Sequence, residues 1–360
     1  MMNEIAQLSN QLAGELSNQL INQLSSQLAG PDYWLPVIFI ALMGLAFFVY
    51  AILDGYDLGV GILLPQDLDT QRDTMIASIG PFWDANETWL VLGAGIMLIA
   101  FPSAHSLILF HLYLPVTIML SGLILRGVAF DFRAKALEDH KVIWDRIFKI
   151  GSLLASLAQG YMLGSFVMGF EQSLVAYAFA GLSAICVTAA YSFIGAAWLI
   201  MKTEGELQAR AVGWARICGV FTALGIVAVS IVNPLIDHSI FEKWFGSPTV
   251  ILLLIIPAIC FGLFILVGRY LKHFPYQGDI GCWIPFASTI VIFVLCFIGL
   301  AYSFFPYVVP NQLDIWQAAS APESLLFILY GIAIVLPCII LYTIFSYRVF
   351  WGKATQLRYY

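Results

Sequence analysis

Charged residues are scarce in this chain, and their scarcity excludes an ordinary water-soluble fold. They make up 11% of the 360 residues, whereas a typical soluble domain has about 25%. The formal net charge is −6, and the sequence has no basic patch of the kind that binds nucleic acid. Hydrophobic residues account for 61% of the chain. Because a membrane-spanning helix needs roughly 20 apolar residues, the sequence predicts a polytopic, all-α integral membrane protein with eight or nine spans.

Motifs for metal ions and disulfides are also lacking. The six cysteines form no CxxC pair, and we interpret them as small buried hydrophobic residues. The five histidines include no pair four residues apart, the spacing of a helical metal site. A single His or Met can hold a haem, so spacing alone leaves haem binding open. We expect each histidine to lie in a loop or at the membrane interface.

Three regions can be distinguished along the chain. Residues 1–30 form a Gln/Leu/Ser-rich extension, predicted to be a helical or disordered repeat, with a surface-lying amphipathic helix as the alternative. Residues 31–353 form the membrane domain, and residues 354–360 form a cytoplasmic tail. Nine apolar segments are predicted to span the membrane: 34–53, 79–102, 105–126, 147–170, 174–200, 212–235, 249–270, 283–305 and 323–347.

The basic residues predict the orientation of these spans. With nine spans, 15 of the 16 Lys and Arg residues fall in odd-numbered loops or in the tail, and only Lys243 falls in an even loop. Lys and Arg are enriched in cytoplasmic loops. The distribution therefore predicts an N-terminus outside the cell and a C-terminus in the cytoplasm.

The most informative motif opens the second apolar segment. Asp84 and Glu87 are three residues apart, and Thr88 follows Asp84 by four, so a helix would place all three on one face. Charges inside a bilayer are expensive and usually functional. We interpret the two acids as candidates for a proton or ion path. The alternative is a buried acid paired with a basic residue such as Arg126, purely for assembly.

A second acidic pair ends the first apolar segment. Asp54 and Asp57 are again three apart, and three glycines close by favour close backbone approach or a break in the helix. The functional interpretation is a pair of carboxylates at a proton entrance. A polar helix end with a glycine-rich stop explains the same spacing equally well.

A third polar group leaves the third apolar segment. Arg126, Asp131 and Arg133 are interpreted as a structural charge cluster at the inner edge of the membrane. Tryptophans near the predicted span ends are expected to form interfacial belts.

Several of these stretches together resemble subunit II of the cytochrome bd-type quinol oxidases. The resemblance covers about residues 34–353. The N-terminal extension departs from the family pattern. The matching motifs are Asp54–Gly61, Ile79–Trp89, Phe101-Pro102, Arg126–Arg133, Phe305–Pro310 and Leu341–Thr343.

The resemblance implies a fold and a partner. It implies nine helices arranged as two four-helix bundles plus one peripheral helix, in the inner membrane of a bacterium. It also implies a heterodimer with a homologous subunit I that holds two haems b, one haem d and the quinol-oxidation site. The complex would oxidise quinol and reduce O2 to water with protons taken from the cytoplasm. This chain would ligate no haem, and a bound quinone or membrane lipid stays open.

The resemblance also suggests roles for single residues. Asp84 resembles the acid of a proton path along the subunit interface, with Glu87 beside it, and Asp54 and Asp57 resemble cytoplasmic-side acids near that path. Trp89 resembles a residue beside a small-molecule route, here for O2.

Two other classes of protein remain as alternatives. A proton-coupled secondary transporter would also have many spans and intramembrane acids, but transporters often repeat such motifs in two halves. Here the acidic motifs lie in the first 90 residues, without a visible copy later in the chain. A purely structural subunit that carries no protons is the third interpretation.

Overall fold

The computed structural model describes residues 30–354, except 66–68, 237, 247–249, 275–278 and 280. The predicted N-terminal extension and tail lie outside the described residues, apart from Gly30 and Ala354.

Helices dominate this part of the chain, and a small hairpin precedes the last long helix. In chain order the elements are α1 (Pro31–Ile62), α2 (Asp69–Ile79), α3 (Trp83–Ala100), α4 (Pro102–Lys135), α5 (Glu138–Val167), α6 (Leu174–Lys202), α7 (Gly205–Ile236), α8 (His238–Phe245), α9 (Val250–Leu253), α10 (Ile255–Lys272), α11 (Ile284–Phe304), β1 (Tyr307–Val309), β2 (Leu313–Asp314), α12 (Ile315–Ala318) and α13 (Pro322–Val349). Strands β1 and β2 pair antiparallel.

Eight helices in the described ranges are long and apolar enough to cross a membrane, namely α1, α4, α5, α6, α7, α10, α11 and α13. They coincide with eight of the nine predicted segments, so the prediction of an all-α integral membrane protein is confirmed. The remaining segment is α3, an 18-residue helix whose first turns contain Asp84, Asn86 and Glu87. The count of nine spans and their grouping into two bundles stay predictions.

Local sequence explains several helix ends. Proline occupies the first helical position of α1, α4 and α13, where its fixed φ suits a helix and its missing N–H costs nothing. Phe101 alone separates α3 from α4. Ser173 caps α6, because its hydroxyl accepts a hydrogen bond from the Ala176 N–H at 3.2 Å.

The glycine-rich end of the first span is a helix crossing, not a helix break. Helix α1 continues through Asp54 and Asp57 to Ile62. At Gly59 an added Cβ would lie 1.8 Å from the carbonyl oxygen of Tyr191, and at Gly195 it would lie 2.6 Å from Gly59. Glycines at both positions therefore let the backbones of α1 and α6 touch. Of the two predicted uses of the glycines, close approach is the one observed.

The crossing fixes the positions of the polar side chains around it. Helix α1 packs against α3, α5 and α6, and α4 packs against α5.

An aromatic cluster lies at the end of this group of helices. The ring of Tyr56 stacks on Trp198 with centroids 4.2 Å apart, and Phe82 contacts the edge of Trp198 at 5.6 Å. Asp57 lies beside this cluster, because Asn86 donates hydrogen bonds both to its carboxylate and to the Tyr56 hydroxyl.

Candidate functional site

A buried arginine joins three helices at the start of α3. The guanidinium of Arg126 on α4 lies 2.6 Å from the carboxylate of Asp54 on α1 and also contacts the carboxylate of Glu87 on α3. Arg126 and Asp54 are fully buried, whereas the Glu87 side chain is 30% exposed. Removing these charges from water costs several kcal/mol each, roughly, unless they are paired. We call Asp54, Glu87 and Arg126 the arginine network.

An asparagine organises a second group next to this network. The Asn86 side-chain amide donates to the Asp57 carboxylate at 2.8 Å, to the Tyr56 hydroxyl at 3.0 Å and to the Leu53 carbonyl at 3.3 Å. Its oxygen accepts from the Tyr347 hydroxyl at 3.3 Å. The hydroxyls of Tyr56 and Tyr347 are 2.5 Å apart. We call Tyr56, Asp57, Asn86 and Tyr347 the asparagine cluster.

A chain of neutral polar groups extends further into the helices. Gln159 on α5 donates from its side-chain amide to the Tyr50 hydroxyl at 2.8 Å and accepts from the Tyr191 hydroxyl at 2.8 Å. Tyr50 lies one helical turn before Asp54 on α1. Polar side chains therefore continue from the arginine network into the region between α1, α5 and α6.

Several buried atoms in this region lack a hydrogen-bond partner among the described residues. They are Asp54 Oδ2, Asp57 Oδ1, the Nε and Nη1 atoms of Arg126, and the indole nitrogen of Trp89. Buried polar atoms of this kind are commonly satisfied by internal water. The surroundings of Asp57 and Arg126 are polar enough to hold such waters.

Asp84 occupies a different environment from the other acids. It lies on the exposed face of α3 together with Thr88 and Val91, and Val91 is 72% exposed. Glu87 is turned toward Arg126 instead. The predicted polar face of α3 is thus divided between an exposed acid and a half-buried acid that is paired with arginine.

Trp89 lies on the opposite side of α3 from Val91. It is buried against Ala46 and Tyr50 of α1.

The predicted charge cluster of Arg126, Asp131 and Arg133 is separated by the structure. Arg126 belongs to the arginine network, and Asp131 is exposed on α4. Arg133 pairs with Asp145 of α5 and with Asp73 of α2, at 2.5 Å in both cases. The sequence motif runs along one helix, whose turns direct these side chains to different neighbours.

Sequence reasoning missed most of the neutral members of the site. Asn86 lies within the same motif as Asp84. Its polar amide in an apolar segment could have identified it as a site residue. Tyr56 also lies within a recognised motif. Tyr347, Gln159 and Tyr191 carry no such signal, since isolated polar residues of this kind are common in membrane helices.

The described residues contain no group of three His, Cys, Asp or Glu side chains arranged to hold a metal ion. His111 and His273 each contact, through Nδ1, the carbonyl oxygen of the residue four positions earlier. His111 also stacks on Phe170 with centroids 4.9 Å apart.

Comparison with known proteins gives consistent matches along the membrane domain. The family described as cytochrome bd terminal oxidase subunit II matches residues 35–350. The chain is 27% identical to cytochrome bd-I ubiquinol oxidase subunit 2 of Escherichia coli, over 88% of this chain and 94% of that protein. It is 32% identical to cytochrome bd ubiquinol oxidase subunit 2 of Bacillus subtilis, over 56% of this chain and 60% of that protein.

A solved structure shares the fold. The bd oxidase of Geobacillus thermodenitrificans contains a chain that superimposes with a TM-score of 0.71 at 17% sequence identity, covering 89% of this chain and 99% of that one. At this identity the likeness concerns the arrangement of the backbone.

Proposed function

Because the chain belongs to the cytochrome bd terminal oxidase subunit II family, we propose that it works as the second subunit of a bd-type quinol oxidase in a bacterial inner membrane. Its partner is subunit I, and together they couple the oxidation of quinol to the reduction of O2 to water. The haems, two b and one d, supply the electron transfer and the O2 chemistry and are held by subunit I. This chain supports the assembly of that subunit and delivers protons.

The proposed orientation places the N-terminus outside the cell and the C-terminus in the cytoplasm. It rests on the prediction of nine spans, which would put 15 of the 16 Lys and Arg residues on one side of the membrane. The acids of the site then lie on the cytoplasmic half of their helices, where protons for O2 reduction enter.

The observation that carries the proton role is the imbalance of charge around Arg126. Three carboxyl groups, those of Asp54, Asp57 and Glu87, share this region with one guanidinium. Desolvation and like-charge repulsion disfavour three ionised carboxylates in such surroundings. A proton bound among them relieves the imbalance, and its position can change when charge develops in the neighbouring subunit.

The geometry supports an order for the transfer. Asp84 is exposed on α3 and receives the proton first. Glu87 is half-buried one turn later and passes it on, while Arg126 holds Glu87 and Asp54 at fixed positions. Trp89 borders the O2 route in this proposal, because its ring lies in an apolar environment beside Ala46, which suits a small apolar molecule.

A structural role is the second candidate, and the ion pairs of Arg126 favour it. They tie α1, α3 and α4 together, and this alone would explain the acids. The transporter alternative gains no support from the family to which the chain belongs.

The first experiment tests the identity of the complex. The chain is expressed with and without subunit I, and reduced-minus-oxidised spectra and quinol-dependent O2 uptake are recorded. We expect haem d absorption and O2 uptake only when both chains are present. A stable chain that supports no O2 uptake with any partner would contradict the proposal and favour the transporter.

The second experiment separates proton delivery from assembly. We expect Asp84→Asn to lower O2 uptake by about 100-fold or more, the lower end of what a positioned proton-transfer group contributes, while the haem spectrum is kept. Asp32→Asn is the matched control, because Asp32 is an exposed acid in the first turn of α1, at the other end of that helix from the site, and the activity of this variant should stay unchanged. Loss of all haem from the Asp84 variant would instead indicate a structural role.

A further inference from the structure

A pocket with a positive charge lies away from the candidate site, at the end of α1 and the start of α5. It is lined by Leu64 after α1, by Arg72 of α2, and by Asp145, Arg146 and Lys149 of α5. Its cavity volume is only about 20 Å³, so a bound group would lie largely at the surface of the protein. None of the residues that line it belongs to the arginine network or to the asparagine cluster.

The acid in this pocket is already engaged by arginines. Asp145 is buried and pairs with Arg72 at 3.0 Å and with Arg133 at 2.5 Å. Arg133 also pairs with Asp73. The two carboxylates therefore serve to hold Arg72 and Arg133 in place, and they do not neutralise the two remaining cations of the pocket.

Arg146 and Lys149 supply the remaining positive charge. Lys149 donates one hydrogen bond to the Leu64 carbonyl at 2.8 Å, which leaves two N–H donors of its ammonium group for another acceptor. Arg146 is exposed and forms no ion pair with a described residue. Among the described residues that line the pocket, three cations (Arg72, Arg146 and Lys149) accompany one carboxylate (Asp145), a net charge of +2.

The surface next to these cations is apolar. On α5, Ile150 and Leu153 follow Arg146 by four and seven residues, and they are 53% and 39% exposed. Residues at these spacings share a helix face, and seven residues of helix extend about 10 Å. A charged group held at Arg146 would thus lie next to an exposed apolar stripe.

We propose that this pocket binds the phosphate of an anionic phospholipid. Arg146 and Lys149 contact the phosphate, and the acyl chains lie along Ile150 and Leu153. Basic pockets between membrane helices on the cytoplasmic side are suited to such head groups. The placement on the cytoplasmic leaflet rests on the orientation proposed above, whereas the binding itself does not depend on the oxidase function.

The test measures lipid binding to the full chain, purified with any partner it retains. Delipidated protein in detergent is titrated with phosphatidylglycerol or with phosphatidylcholine, and bound lipids are counted by native mass spectrometry. We expect the wild type to bind phosphatidylglycerol in preference. The double variant Arg146→Gln/Lys149→Gln should bind it about 30-fold more weakly, because each basic residue near an anionic lipid contributes about fivefold.

Two further variants serve as controls. Arg269→Gln/Lys272→Gln removes two exposed basic residues with the same spacing from the end of α10, and it should keep the affinity of the wild type. The single variant Arg146→Gln changes only an exposed side chain, so it should fold normally and lose about fivefold. Equal binding of phosphatidylglycerol by all variants would overturn the proposal.

Competition with inorganic phosphate shows whether the pocket binds the phosphate of a lipid or the free anion. We expect millimolar phosphate to leave the bound phosphatidylglycerol in place, because the acyl chains contribute to its affinity. Displacement of the lipid by phosphate, and equal loss of phosphate binding in the double variant, would identify a site for the free anion and overturn the lipid proposal.

Discussion

The guanidinium of Arg126 on α4 lies 2.6 Å from the carboxylate of Asp54 on α1, and both side chains are fully buried. Burying either charge alone at this position would cost much free energy, whereas the attraction between the two charges offsets part of that cost. Glu87 of α3 joins the same guanidinium. Arg126 therefore connects three helices and fixes the positions of two acids.

Replacing Arg126 should be strongly destabilising. We expect Arg126→Leu to lower the free energy of unfolding by about 3–5 kcal/mol, because it leaves the buried Asp54 without its partner. The measurement is the thermal unfolding of the purified complex. The double variant Arg126→Leu/Asp54→Leu should recover part of the loss, since the partly exposed Glu87 is then the member of the arginine network left without its partner. A double variant as unstable as the single one would show that the pair is not the cause.

The crossing of α1 and α6 should tolerate no methyl group. We expect Gly59→Ala to lower the free energy of unfolding by about 1–3 kcal/mol or more, because the new Cβ would overlap the Tyr191 carbonyl and overpack the interface. Gly262→Ala on α10 is the matched control, as nothing lies within 4 Å of its added Cβ. The yield of folded protein and its unfolding temperature report the difference, and similar values for both variants would contradict the proposed contact.

Asn86 should be needed to hold Asp57. We expect Asn86→Leu to cost about 1–3 kcal/mol of unfolding free energy, because it removes the donor to Asp57 and the acceptor for Tyr347. Tyr347→Phe, which removes only a hydroxyl, should cost about 1 kcal/mol. Thermal unfolding of the two variants under one set of conditions provides the comparison. The prediction fails if Tyr347→Phe is the more damaging change.

Lys202 of α6 should stabilise the segment that directly follows α13. Its buried ammonium group donates to the carbonyl oxygens of Phe350, Trp351 and Gly352 at 2.7, 3.1 and 3.1 Å. A cation at the C-terminal end of a helix is also favourable for the helix dipole. We expect Lys202→Met to cost about 3 kcal/mol, the upper range for hydrogen bonds to a charged group.

Limited proteolysis measures the effect of Lys202 directly. Cleavage near residue 350 should become faster in Lys202→Met than in the wild type. Lys135→Met at the exposed end of α4 is the control and should be cleaved at the rate of the wild type. Unchanged cleavage in Lys202→Met would show that the segment is held by other contacts.

Hydrophobicity alone determined much of the fold. Apolar runs of about 20 residues must form helices in a membrane, because every backbone polar group has to be satisfied within the segment. Eight predicted segments therefore coincide with helices long and apolar enough to span. The sequence also determined that the motifs around Asp54 and Glu87 are unusual, since acids in such segments are rare.

Only the tertiary structure decided how the polar residues combine. Arg126 and Arg133 lie on one helix, yet the first turns to α1 and α3 and the second to α2 and α5. Tyr347 reaches Asn86 from the far end of the chain. Such pairings depend on the rotation and contact of whole helices, which a local pattern does not contain. The sequence thus determined which segments enter the membrane and which carry rare charges, and the packing determined the partner of each charge.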